Sequence, residues 1–139
     1  MDYSKKVVDH FINPRNAREI DNASGVGTVG NARCGDIMRV FLKIEEGIVV
    51  DASFKTFGCG AAVATSSIAT EMVKGKRVED AIKITNQDVV EALDGLPKAK
   101  VHCSVLAREA LHAALWDYAE KEKITIEGLN PPSEHDEHD

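Results

Sequence analysis

Met38-Arg39-Val40-Phe41-Leu42-Lys43-Ile44 is followed by Glu45-Glu46-Gly47, and then by Ile48-Val49-Val50-Asp51-Ala52-Ser53-Phe54-Lys55-Thr56-Phe57. Met38, Val40, Leu42 and Ile44 alternate with Arg39, Phe41 and Lys43, the period of two that predicts a half-buried strand. Glu45-Glu46-Gly47 supplies a turn. Ile48 to Phe57 reads as the returning strand, with Val50, Ala52 and Phe54 on one face and Asp51, Ser53 and Lys55 on the other. The two runs make an antiparallel hairpin. Just upstream, Gly25-Val26-Gly27-Thr28-Val29-Gly30 reads either as a strand weakened by its glycines or as a mobile loop.

Helices surround this hairpin. Tyr3 to Phe11 has the pattern of a short amphipathic helix, with Val7, Val8 and Phe11 on one face and a stop at Asn13-Pro14. Ala61 to Lys74 is Ala-rich and closes at Gly75. Val78 to Lys83 is a short helix, and Asn86 or Thr85 caps another that runs to about Leu93. Ser104 to about Glu122 is the longest, with Ala107, Leu111, Leu115 and Tyr118 as its buried stripe. Strands first and helices second predict an α+β fold: a small antiparallel sheet of about three strands packed against several helices. Residues 1–128 form a single domain in this reading, and residues 129–139 an acidic, disordered tail.

The chain has 139 residues, 43% of them hydrophobic and 29% charged, and a net charge of −6. That is one ordinary hydrophobic core and no more. The acidic balance excludes nonspecific nucleic-acid binding, because the phosphate backbone repels it. No apolar run is long enough to span a membrane, and the start does not read as a secretory signal. The cytoplasm is the expected compartment. The three cysteines, Cys34, Cys59 and Cys103, do not suggest a disulfide framework.

Each cysteine sits at an element boundary. Cys34 lies in Arg33-Cys34-Gly35-Asp36 at the hairpin entry, where Gly35 permits a bend that brings Cys34 and Asp36 to one point. Cys59 lies between two glycines, at a strand end and a helix start. Cys103 lies in His102-Cys103-Ser104 at the start of the longest helix. The helix dipole is expected to lower the pKa of Cys59 and Cys103, and Arg33 acts in the same direction on Cys34. Three activated thiols with one Asp or His suit tetrahedral zinc, or an iron–sulfur cluster with one substituted ligand. A hard oxygen or an imidazole in place of the fourth thiolate weakens retention, which favours a cluster that is built and handed on. Lys98 and Lys100, with Arg33 and Lys55, read as a basic rim suited to an acidic partner. His10 is expected to face solvent, and His112, one turn before Trp116, to pack.

Cys34-Gly35-Asp36, the stretch Phe54-Lys55-Thr56-Phe57-Gly58-Cys59-Gly60, and Lys100-Val101-His102-Cys103-Ser104 resemble the signature blocks of the IscU/NifU N-terminal-type iron–sulfur cluster assembly scaffolds. The opening from Tyr3 through Asn13-Pro14-Arg15-Asn16, and Thr70 to Lys76, are similar too, so the resemblance runs in order from about Tyr3 to Lys121. It implies an IscU-like fold and a scaffold rather than an enzyme. Cys34, Cys59 and Cys103 would bind a [2Fe–2S] cluster, with Asp36 or His102 as fourth ligand. A cysteine desulfurase would bring sulfur, apo-proteins or carriers would take the cluster, and the apo-form would carry zinc. A cluster short of good ligands also invites a second chain, so a cluster-bound homodimer is left open.

Two departures from the family pattern matter. Scaffolds served by a dedicated Hsp70-type chaperone usually carry Leu-Pro-Pro-Val-Lys before the last block. Here Leu96-Pro97-Lys98-Ala99-Lys100 stands there, and the charge of Lys98 counts against that partner. The short acidic tail is not expected to lead into the extra domains of full NifU proteins. The alternative is a zinc-dependent sulfur acceptor or sulfurtransferase of the SufU type. His102 and the short segment from Thr85 to Lys100 count against it.

Overall fold

The computed structural model describes residues 3–31 and 36–131. Cys34 and Arg33 therefore lie outside the described residues, as do residues 132–139 of the expected tail. The elements run α1 Lys5–Ile12, β1 Gly25–Asn31, β2 Asp36–Glu45, β3 Ile48–Phe57, α2 Gly60–Val73, α3 Val78–Ala81, α4 Asn86–Ala92, a 3-10 turn Lys98–Lys100, and α5 Val101–Glu122. The strands form one antiparallel sheet in the order β1-β2-β3, and the fold is α+β as expected. Among the described residues no helix is long and apolar enough to cross a membrane.

The hairpin closes through Glu46 and Gly47, with φ of 53° and 76°. Positive φ at both central residues is the turn whose twist matches that of paired strands. On the inner face Met38, Val40, Leu42, Ala52 and Phe54 are buried, as the alternation requires. Val50 departs from it: it is 47% exposed, and Val49 is fully buried instead. The register passes from Lys43↔Asp51 to Ile44↔Val49. Val50 is thus the extra residue of a β-bulge, and the inward face shifts by one beyond it. Phe41 also departs from the expected polar face. It pairs with Ser53 on the outer side, and both are buried. The segment between α1 and β1 anchors beside them, through Arg18 on Asp51 and Glu19 on Lys55.

Residues 25–30 are a strand, not a loop, and the glycines have a packing reason. A Cβ on Gly25 would lie 2.1 Å from the Ala114 carbonyl, and one on Gly27 would lie 2.3 Å from the Ala114 nitrogen. The bare backbone lets α5 lie directly on β1. Beneath α5 and α2 the core gathers Val29, Met38, Leu42, Ala64, Ala107, Leu111 and Leu115, and Ile126 and Leu129 close its far end.

In α1 the expected face is corrected. Val7 and His10 are buried, whereas Val8 and Phe11 are 43% and 52% exposed. Residues three apart share a helix face, and here that shared inward face is Val7 and His10. Nδ1 of His10 meets Oγ of Ser67 on α2 at 2.7 Å, so His10 is a clamp rather than a surface residue. Thr85 caps α4 through a reciprocal bond pair with Asp88. His112 is half-buried, and its ring bonds the Ile82 backbone.

Candidate functional site

Three element boundaries converge at one end of the sheet. Asp36 is the first residue of β2, Cys59 is the N-cap of α2, and Cys103 is the third residue of α5. The 3-10 turn ahead of α5 starts that helix at Val101 rather than Ser104, which places Cys103 inside the first turn. Thr65 of α2 donates from Oγ1 to the Cys103 carbonyl at 3.2 Å and so ties the two helices together behind the thiols. Nothing in the sequence marks Thr65 for this, since it sits in an Ala-rich helix among other small residues.

The sulfurs of Cys59 and Cys103 are 3.8 Å apart. One donor atom each from Asp36, Cys59 and Cys103 lie within 4.8 Å of one another. Two ligands on a tetrahedral centre with bonds of about 2.3 Å lie about 3.8 Å apart, so the thiols already stand at metal-ligand spacing. His102 touches two members of this set. Its Nε2 is 3.1 Å from Oδ2 of Asp36 and 3.6 Å from Sγ of Cys103. The helix needs no break for His102 and Cys103 to meet the site together, because the imidazole reaches across from the first turn.

Asp36 is only 5% exposed. Its Oδ1 accepts the Cys59 N–H at 3.3 Å, and its Oδ2 faces His102, so both carboxylate oxygens are engaged. Gly58 is what admits it. A Cβ there would stand 2.3 Å from Oδ1 of Asp36. Gly60 is covered by the ring of Phe11, whose nearest carbon would be 3.1 Å from an added Cβ. The exposed rim of α1 therefore borders the thiols.

The electrostatics correct one expectation. Burial, with Cys59 and Asp36 adding, pushes the Cys103 thiol up to about 12. Desolvation and neighbouring negative groups outweigh the helix dipole at this position. A metal that binds there must displace a proton that burial makes harder to lose. The Lys100 ammonium is held above its ordinary value, chiefly by Cys59 beside it. Lys100 thus belongs to the expected basic rim. Lys55 instead pairs with Glu19 on the outer sheet face.

Residues 2–125 match the family described as NifU-like N terminal domain. The chain is 58% identical over 119 residues to the iron–sulfur cluster assembly scaffold protein IscU 1 of Archaeoglobus fulgidus, covering 86% of this chain and 78% of that one. It is 50% identical over 125 residues to the IscU scaffold of Escherichia coli K12, covering 87% and 97%. With that of Aquifex aeolicus it shares 46% over 138 residues, covering 98% and 88%. The fold is similar to a putative SUF-system scaffold from Fervidobacterium islandicum at TM-score 0.68 and 21% identity, over 81% of this chain and 96% of that one. It is also similar to a NifU-like N-terminal protein from Brucella abortus at TM-score 0.67 and 20% identity, over 84% and 94%. With thiols and a carboxylate gathered from three element boundaries, and with these relatives along most of its length, the chain belongs to the NifU-like N-terminal domain family.

Proposed function

We propose that the chain is a scaffold on which a labile [2Fe–2S] cluster is built and from which it is handed to acceptor apo-proteins or carriers. It carries the cluster as cargo and is not itself a catalyst. The observation that carries this reading is the convergence of Asp36, Cys59 and Cys103, two soft donors and one hard donor, at metal-ligand spacing. Cys34, two residues before Asp36, supplies the third thiolate in this proposal. Thiolates hold soft cluster iron, and the carboxylate holds it less well, so the site is fitted to release. His102 stands against Asp36 and Cys103, where it steadies the carboxylate or replaces it as ligand. Sulfur arrives as persulfide from a cysteine desulfurase, and ferrous iron supplies the metal. Of the four electrons that reduce two persulfide sulfurs to sulfide, the two irons give two as they become ferric, and an external thiol or electron-transfer protein gives the other two.

The same donor set suits tetrahedral zinc, and the 3.8 Å sulfur separation is the edge of such a centre. Zinc is accordingly the ion proposed for the cluster-free form. A zinc-dependent sulfur acceptor is the second reading.

Anaerobic reconstitution with ferrous iron, cysteine and a cysteine desulfurase tests the proposal. Comparable iron and acid-labile sulfide per chain are expected, both removable by an apo-ferredoxin. Serine at Cys34, Cys59 or Cys103 should abolish stable loading. Zinc that stays bound with no sulfide retained would transfer the assignment to sulfur relay.

A further inference from the structure

Among the described residues the helices cover one face of the sheet, and part of the other is bare. α5 lies on Gly25 and Gly27 from the inner side, and α2 packs on β2 and β3. On the outer side the segment between α1 and β1 covers the end at Phe41 and Ser53. At the other end, beside the thiols, Ile37, Arg39, Lys55 and Phe57 line a pocket of about 150 Å³. Ile37 pairs with Phe57 and Arg39 with Lys55 across the hairpin.

Folding alone does not explain this arrangement. Phe57 is 79% exposed, the most exposed large hydrophobic side chain among the described residues. Like charges directly opposite one another destabilise a strand pair. Lys55 is neutralised by Glu19 at 3.0 Å. Among the described residues no carboxylate pairs with Arg39, whose Nε donates to Oγ1 of Thr28 at 3.0 Å. An aromatic anchor beside an arginine is the pairing that protein interfaces concentrate at their centres. A guanidinium fork matches carboxylates.

Position says which partner fits. Ile37 follows Asp36 directly, and Phe57 stands two residues before Cys59. A protein seated here abuts the hard-oxygen ligand, the point at which the proposed cargo is held least firmly. The net charge of −6 repels an acidic partner from the rest of the chain, so a local basic face also sets its orientation.

We infer that Ile37, Arg39, Lys55 and Phe57 form the docking face for an acidic acceptor protein that takes the cluster through the Asp36 side of the site. This rests on the scaffold reading above. The test loads the full chain with cluster and follows transfer to an acidic apo-ferredoxin at several salt concentrations. Transfer should be about tenfold slower or more in Arg39→Glu and in Phe57→Ser, with a weaker salt dependence in the former. Loading, and cluster loss to EDTA, should match the parent. Parent-like transfer in both variants overturns the inference. So does a loss to EDTA slowed to the same extent as the transfer, which would mark a more tightly held cluster, or impaired desulfurase-driven loading with normal transfer, which would mark a sulfur-donor face. A parent dimer that Phe57→Ser dissolves would make the face a self-interface and overturn it too. If the parent loads no cluster, the scaffold reading fails. Titration calorimetry of apo-ferredoxin into the cluster-free chain then decides the docking face alone, and equal affinity for parent and Arg39→Glu sinks it.

Discussion

In the scaffold reading proposed above, Asp36 is the residue on which assembly and release both turn. It is buried, it bonds the Cys59 N–H and His102, and its oxygen is the hardest donor of the set. Removing the carboxylate leaves the thiolates in place and takes away the ligand that favours departure. Asp36→Ala is expected to lengthen the lifetime of the loaded cluster several-fold, read as the decay of its visible absorption. Gly58→Ala addresses the same carboxylate from the backbone side. Its Cβ would stand 2.3 Å from Oδ1 of Asp36 and 3.0 Å from the Cβ of Ala62. The carboxylate must move, so cluster loading and lifetime should change while the thermal transition shifts by only a few degrees. The element-boundary settings of Cys59, Cys103 and Asp36 were legible in sequence, and the structure brings the three together. The upward shift of the Cys103 thiol was not legible, because burial by the packed helices is its chief cause.

At the scale of elements, β1 and α5 depend on each other's smallness. Gly25 and Gly27 meet Ala110 and Ala114, and no side chain separates strand from helix. Gly27→Ala places a methyl 2.3 Å from one backbone atom and 2.4 Å from another. Neither of these can rotate away. Overpacking of this kind costs about 1–3 kcal/mol, which urea unfolding should register as a lower midpoint with an unchanged slope. In sequence the same glycines suggest a weak strand or a loop, because the rule that reads them counts propensity and sees no partner helix. The Val50 bulge escaped for a related reason: strict alternation has no place for an extra residue, and pairing with β2 decides where it falls.

For the whole molecule, one buried and one half-buried histidine tie stability to pH. Burial lowers the pKa of His10 and of His112 below the ordinary 6.5. The unfolded chain therefore binds these protons more readily than the folded one. Their contribution is fully present above the unfolded value and is lost as pH falls through the lower folded values. The melting temperature should be higher at about pH 7.5 than at about pH 5.5, and His10→Asn should flatten part of that slope. An unchanged slope in the variant would assign the effect to other groups. His10 read as a surface residue in sequence because Val7, Val8, Phe11 and Ile12 fill one arc of α1 and His10 lies outside it. Docking on α2 turns inward only the Val7 edge of that arc together with the neighbouring His10.

By itself the sequence determined the α+β class, the hairpin, the cap of α4 and which thiols and carboxylate stand at element boundaries. Those follow from periodicity, turn residues and local spacing, which act within a few residues of the chain. The tertiary structure alone decided that Asp36, Cys59 and Cys103 meet at metal-ligand spacing, that Gly25 and Gly27 serve α5, that burial raises the pKa of the Cys103 thiol, and that the described residues leave the Phe57 end of the outer sheet face bare. Each of these depends on contacts between residues far apart in the chain, and local pattern carries no information about which distant backbone or charge will arrive there.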